Sequence, residues 1–482
     1  MVPVDEHECA WKEHALDLQK QLDDVAEKQR LQQEQLEALK KKIFGKSSEK
    51  MPPMEREARR GETPDPEKSQ LKRRANAALR AAKIKTEVVD VKVPATERHC
   101  PECGGEDFAT LGDGKPSSVT EYIQGYFRKR IFRRETLACS CGQHVVTAPV
   151  PDKVVDRTQY GPGFMAHLVV SKCCDSLPLY RMEQQFGRLG IPMSRSTMTD
   201  LFHRTGELVA PLAARILELI AQSNIVLADE TPMPVQDATK KPYIWTFVAG
   251  NFIGYRFSLT RSGETPKAVL GGTTGTLVVD MYTGYNSVTG VKGRQRAGCL
   301  SHARRKFFKA VDGAPEAQIP LELIRKIYVL ERQMKLAGKS GNAEHARARW
   351  EESLPLMDKL YVSLSHEKPR HLPKSLMGKA IAYSLKNWQA LTRFITNVEI
   401  PPDNNRSERS LRVVALGRKN FLFAGDKEAG ENLAALYTVV ATCIAHELDP
   451  LAYLTDVLMR LDSTSADRVD ELLPQNWAAR PP

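Results

Sequence analysis

The sequence predicts a multidomain α+β protein. Its 482 residues exceed what one typical hydrophobic core organises. Apolar residues follow a seven-residue repeat at the start, a helical period to about residue 220, and then short strand-like runs. Two closely spaced cysteine pairs, Cys100/Cys103 and Cys139/Cys141, mark a small metal-stapled unit between those regions.

The first element is a coiled-coil helix within residues 1–50. Ala15, Leu18, Leu22, Val25, Gln29, Gln32, Leu36, Leu39 and Ile43 fall at successive a and d positions. The central glutamines weaken the seam and help fix its register. Gly45 is placed to end the helix. Residues 51–95 form a linker, with Pro52, Pro53, Pro64 and Pro66 among charges, followed by a basic helix carrying Lys72, Arg73, Arg74, Arg80, Lys83 and Lys85.

Residues 96–150 read as zinc-finger-like. The two cysteine pairs, each followed by glycine, can set four sulfurs tetrahedrally around structural zinc, and His144 can replace one of them. The nine cysteines lack an export signal beside them, so thiols and metal sites are expected in place of disulfides. Between the pairs, Tyr126, Arg128, Arg130, Phe132 and Arg134 alternate as on a strand with one basic face. Residues 155–220 are helical. The break at Leu189-Gly190-Ile191-Pro192, with N-cap candidates from Ser194 to Thr197, gives a helix-turn-helix-like DNA-binding region.

From residue 221 the period changes. Ile225–Ala228 runs into Asp229, Tyr243–Ala249 and Ile253–Leu259 read as strands, Glu264–Leu270 as a helix, and Thr276–Val279 leads into Asp280. Three strands, a helix and a fourth strand, with an acid ending the first and the last, is the order of a ribonuclease-H-like core. In that core the first and fourth strands lie side by side. A third acid, Glu408, sits in the opening turns of a helix after Pro401-Pro402-Asp403-Asn404-Asn405. Asn405 and Glu408 also fit an N-cap and its capping-box partner, a purely structural role. The catalytic region spans 221–430 with a helical insertion at about 311–395, and residues 431–482 form a C-terminal helical region.

Asp229, Asp280 and Glu408 are the residue types that two-metal phosphodiester chemistry requires. Two magnesium ions about 3.5–4 Å apart activate the attacking oxygen and stabilise the leaving one. Hard cations such as Mg2+ or Mn2+ take oxygen ligands. The cations Arg406, Arg409, Arg412, Arg418 and Lys419 beside Glu408 can hold phosphates. A formal net charge of +11 suits a polyanionic partner. The apolar stretch 433–445 is too short and too interrupted to cross a bilayer, so no membrane partner is expected and the protein is expected in the cytoplasm, at the nucleoid.

Several runs resemble the transposases of the insertion-sequence-66 family. They are Ala228-Asp229-Glu230-Thr231-Pro232, Val279 to Tyr285, Cys299-Leu300-Ser301-His302-Ala303-Arg304-Arg305-Lys306-Phe307, and Asp403 to Gly425. The likeness extends to Phe44–Lys50, Leu177–Arg181 and the terminal Leu472–Trp477. It implies an Asp-Asp-Glu triad, matched here by Asp229, Asp280 and Glu408, and a helical insertion before the glutamate. It implies binding of terminal inverted repeats and target DNA, strand cleavage and strand transfer, and assembly on DNA. His302 and Arg305 join the expected DNA contacts. Two small companion proteins of the same element are further expected partners. The chain departs from the family in having Leu300-Ser301 where a tryptophan or tyrosine often precedes Ala-His. The alternatives are a non-catalytic, zinc-dependent DNA-binding protein derived from a transposase, and another ribonuclease-H-like nuclease.

Overall fold

The computed structural model describes residues 17–22, 25–26, 28–30, 32–33, 136–138, 145–147, 160–191, 193–236, 241–461 and 463–478. The described residues between 17 and 33 are helical, and Leu18, Leu22 and Val25 on the heptad seam are exposed. The rest of the heptad segment, the linker and basic helix, and Cys100, Cys103, Cys139, Cys141 and His144 lie outside the described residues. Strands β1 (Thr136–Ala138) and β2 (Val145–Thr147) pair antiparallel.

Three helices follow: α1 (Pro162–Cys173), α2 (Leu179–Arg188) and α3 (Arg195–Gln222). Gly190, with φ of 75°, lets the chain turn between α2 and α3 at the expected break. Ser194 then caps α3 by accepting from the Thr197 amide. Along α3 the buried residues Met198, Leu201, Phe202, Thr205, Val209, Leu212, Ile216 and Ile220 recur every three or four positions, one continuous inward stripe.

The sheet has five strands: β3 (Ile225–Pro232), β4 (Tyr243–Ala249), β5 (Phe252–Ser258), β6 (Thr276–Val278) and β7 (Gln295–Ala297). Helix α4 (Glu264–Leu270) connects β5 to β6. The order is β5-β4-β3-β6-β7. The β3–β4 and β4–β5 pairs are antiparallel, while β3–β6 and β6–β7 are parallel. The expected adjacency of the first and fourth strands is therefore observed. Boundaries differ from the sequence reading: β5 ends at Ser258 and β6 at Val278, one residue short of each expected end. The first strand continues past Asp229 to Pro232, because β4 pairs with it there, Asp229 facing Thr246. The β5 strand starts one residue earlier, since Phe252 pairs with Ala249 across the turn at Gly250.

Helices α5 (Leu300–Ala310), α6 (Gln318–Leu336), α7 (Ala343–Ala348), α8 (Leu354–Glu367), α9 (Leu376–Lys386) and α10 (Trp388–Thr396) fill the stretch before the third acid. Phe307, Ile324, Ile327, Leu360, Leu364, Ile381 and Phe394 pack with Leu227 and Val278 of the sheet in one core. Helices α11 (Asn405–Phe421), α12 (Lys427–Ala445) and α13 (Pro450–Leu461) complete the chain. Helix α12 covers the edge strand β5. Thr438 and Thr442 hydroxyls accept from the Tyr255 and Ile253 amides at 2.8 and 3.1 Å, satisfying an edge otherwise open to pairing. The apolar stretch 433–445 is thus core. No helix among the described residues is long and apolar enough to cross a membrane.

Candidate active site

The sheet register sets two acids level. Ile225 pairs with Thr276, Val226 with Leu277 and Leu227 with Val278. Asp229, within β3, and Asp280, just beyond β6, each stand two residues past that last pair, where the parallel pairing of the two strands ends. Such ends are where open parallel sheets carry their sites. Asp280 Oδ1 accepts from the Tyr282 amide at 2.9 Å, and Asp229 Oδ1 from the Glu230 amide at 3.0 Å.

Glu408 arrives from α11. The helix starts one residue earlier than a capping box would require. Asn404 is its N-cap, and Asp403 accepts from the Asn405 amide at 3.0 Å and from its side-chain amide at 2.7 Å. Glu408 is thus not bonded to the cap. Its carboxylate meets His302 Nδ1 at 3.6 Å and Arg305 Nη2 at 3.5 Å, both from α5. Helix α11 is docked on the sheet by Ser410, whose hydroxyl lies 3.0 Å from that of Thr246 and whose carbonyl accepts from Tyr255 at 2.7 Å.

The acids sense one another. Burial pushes the Asp229 carboxyl up to about 8, helped by the charges of Glu230, Glu408 and Asp280. Burial pushes the His302 imidazole below its ordinary range, with Glu408 opposing. Among the described residues, Glu408 Oε1 and His302 Nδ1 are buried atoms without a hydrogen-bond partner. Asp229, raised by burial and by neighbouring carboxylates, and Glu408, with an orphaned oxygen, are groups that added positive charge would favour. A divalent cation supplies that, so the donor set fits an oxygen-ligated metal.

The expected phosphate contacts divide into two groups. Arg406 donates to the Gly250 carbonyl, and Arg418 to the Pro232 carbonyl and, at 3.1 Å, to the Thr231 hydroxyl. These two brace α11 against the sheet. Arg409, Arg412, Lys419 and Arg305 are exposed.

Sequence reasoning missed three supports. Glu230, with its side chain 2% exposed, accepts from Tyr285 at 2.6 Å and from Arg261 at 2.8 and 2.5 Å. Arg261 in turn stacks 4.0 Å over the Tyr282 ring. Period two sends neighbouring side chains of a strand to opposite faces, so a glutamate following Asp229 demanded a partner. Nothing local named that partner. Asn404, fully buried, donates from its side chain to the Ala228 carbonyl at 3.4 Å and from its amide to Cys299 Sγ at 3.5 Å. It ties the residue before Asp229 to the helix carrying Glu408. Cys299 is the third, the N-cap of α5.

Fold and site together define a class: mixed-sheet α+β proteins that gather carboxylates from two adjoining strand ends and a later helix. Residues 157–432 match the family described as Transposase IS66 family, and residues 438–475 match the IS66 C-terminal element. The chain belongs to the IS66 family of transposases. Similar proteins occur in Sinorhizobium fredii (strain NBRC 101917 / NGR234). Uncharacterized protein y4jD is 33% identical over 414 residues, 81% of this chain and 80% of the relative. Uncharacterized protein y4hP is 31% identical over 423 residues, 82% of this chain and 75% of the relative.

Proposed function

We propose that the protein is the active transposase of an insertion sequence, binding the element's terminal inverted repeats and target DNA and catalysing strand cleavage and strand transfer at Asp229, Asp280 and Glu408. The observation that carries this reading is that Asp229 and Asp280 stand level on neighbouring parallel strands and that Asp229, pushed up to about 8 chiefly by burial, also feels the charges of Glu408 and Asp280. The strand order β5-β4-β3-β6-β7 supports a ribonuclease-H-like core. Magnesium or manganese held by these three carboxylates would supply Lewis acidity at the phosphate and lower the pKa of the attacking hydroxyl. The protein's own part is to hold the carboxylates apart in a fixed arrangement. Asn404 fixes the start of α11, Arg406 and Arg418 brace it, and Arg261 and Tyr285 pin Glu230 beside Asp229. Arg409, Arg412, Lys419, Arg305 and His302 meet DNA phosphates, joined by Arg406 and Arg418, which also bond the sheet.

The test uses purified full-length protein and DNA carrying the element's ends. Magnesium-supported cleavage and joining are expected for the wild type. Glu408→Ala should lose both, while binding to a single end persists. Strand transfer by Glu408→Ala at the wild-type rate would sink the assignment.

The remaining assignments belong to the same proposal. The α2–turn–α3 unit contacts element ends, the heptads from Ala15 to Ile43 pair subunits on DNA, and the two companion proteins join that assembly at the nucleoid in the cytoplasm. Cys100, Cys103, Cys139 and Cys141 hold structural zinc, with His144 the substitute ligand. Metal analysis should find at least one zinc per chain, and Cys100→Ser should remove one and weaken DNA binding, because structural zinc supplies most of a small domain's folding energy. Full zinc content in Cys100→Ser would discard this ligand set.

A further inference from the structure

Helix α5 opens with a cysteine and a histidine three residues apart, the N-cap Cys299 and His302. That spacing brings both side chains to one side of the first turn. Cys299 Sγ, a His302 ring nitrogen and a Glu408 carboxylate oxygen all lie within 4.8 Å of one another. The His302 Nδ1 to Glu408 Oε1 distance of 3.6 Å is too long for a hydrogen bond, and neither atom has another partner among the described residues. Two ligands bound tetrahedrally at about 2.0–2.2 Å from zinc stand about 3.4 Å apart, so this gap has the width that a shared cation spans.

We propose that Cys299, His302 and Glu408 form a site for a thiophilic divalent cation of the zinc and cobalt class, and that filling this site withdraws Glu408 from the two aspartates. The ligand chemistry selects the metal. Sulfur, nitrogen and one oxygen suit zinc or cobalt, whereas magnesium prefers oxygen alone. Three protein ligands leave a fourth position for water, the arrangement of an exchangeable site. The His302 and Glu408 side chains are 23% and 27% exposed, so an ion can enter from solvent. Burial pushes the Cys299 thiol up to about 12, with the Asn404 amide and the backbone of His302 opposing as donors to Sγ, so the sulfur is a thiol until an incoming metal displaces its proton to solvent. Arg305 approaches Glu408 Oε2, leaving Oε1 for the ion.

Metal binding here stands without the transposase reading; the withdrawal of Glu408 from catalysis rests on it. The two are separated by adding cobalt alone to full-length protein already saturated with zinc at its tightest sites. One further equivalent should bind and give a cobalt–thiolate charge-transfer band. Cys299→Ser should lose the band. His302→Ala, which keeps the sulfur, should bind at least about tenfold more weakly. It decides the matter should the buried serine disturb folding. Absence of the band in folded wild type, or an equal band in Cys299→Ser, overturns the site. A second arm reads DNA cleavage under magnesium. Added zinc should slow the wild type and spare Cys299→Ser. Equal inhibition of both proteins overturns the withdrawal of Glu408. Cobalt bound through Cys299 in a protein that never cuts element ends would instead overturn the transposase reading and leave the metal site standing.

Discussion

Asp229→Asn is expected to make the protein more stable and nearly inactive at once. Burial, reinforced by Glu230, Glu408 and Asp280, pushes the Asp229 carboxyl up to about 8 from an ordinary value of 3.8. The folded protein therefore binds this proton more tightly than the unfolded chain does. The resulting stability is full below the ordinary carboxylate range and is lost as pH rises toward about 8. Without added metal, wild type should lose on the order of a few kcal/mol across that window, and the asparagine variant should be flat at this site. At neutral pH the variant should melt higher. Magnesium should raise the melting temperature of the wild type and leave the variant unmoved, since a ligand stabilises only the state that binds it. Strand cleavage should fall by about a hundredfold or more, the scale of losing one electrostatic stabiliser of a transition state. Thermal unfolding with a chelator across pH, beside a cleavage assay, reads both effects. A variant no more stable than wild type near pH 8 would mean that burial and the neighbouring acids do not hold the Asp229 carboxyl up as the structure requires.

The strand positions of Asp229 and Asp280 were legible in the sequence because a strand announces itself locally. Val226–Ala228 and Leu277–Val279 are short β-branched or apolar runs, each ending on an acid. Their alignment follows from parallel pairing of Leu227 with Val278. Glu408 was legible as the opening of a helix, but its cap was not. Asp403, Asn404 and Asn405 are consecutive residues that all cap helices well, and propensity cannot rank them. Tertiary contacts choose: Asn404 is taken by Ala228 and Cys299, and Asp403 bonds Asn405. Partners far apart in the chain were invisible for the same reason. Arg261 lies 31 residues beyond Glu230 and Tyr285 lies 55 beyond it, so neither leaves a local pattern. The threonines that seal β5 are separated from it by more than 180 residues and read in the sequence only as interruptions of an apolar run. Arg406 and Arg418 look like phosphate contacts in a basic helix, yet both are bound to backbone carbonyls.

Arg349→Met is expected to cost about 3–5 kcal/mol, the loss that follows when one member of a buried ion pair is removed. Arg349 begins a π-helical turn, Arg349–Ser353, between α7 and α8, and its side chain is 2% exposed. Its guanidinium forks onto Glu331 of α6 at 2.7 and 2.8 Å. The remaining nitrogen donates to the carbonyls of Phe394, Asn397 and Ile400 at 2.6, 3.2 and 3.0 Å. Those carbonyls end α10 and line the segment that enters Pro401–Asn404, from which α11 carries Glu408. Methionine fills most of the volume but donates nothing. It strands the Glu331 carboxylate, left with His345 at 3.2 Å, and leaves three carbonyls without this donor. Loosening the entry to α11 should also loosen Glu408. At a temperature where the variant remains folded, cleavage should therefore fall further than binding to a single DNA end. Replacing Glu331 by methionine as well should recover part of the stability, because the uncompensated charge is gone, but not the cleavage, because the carbonyls at residues 394–400 still lack their donor. Denaturant unfolding of the single and double variants separates these contributions. A double variant as unstable as Arg349→Met would show that the carbonyl bonds, and not the ion pair, hold the insertion to the segment entering α11.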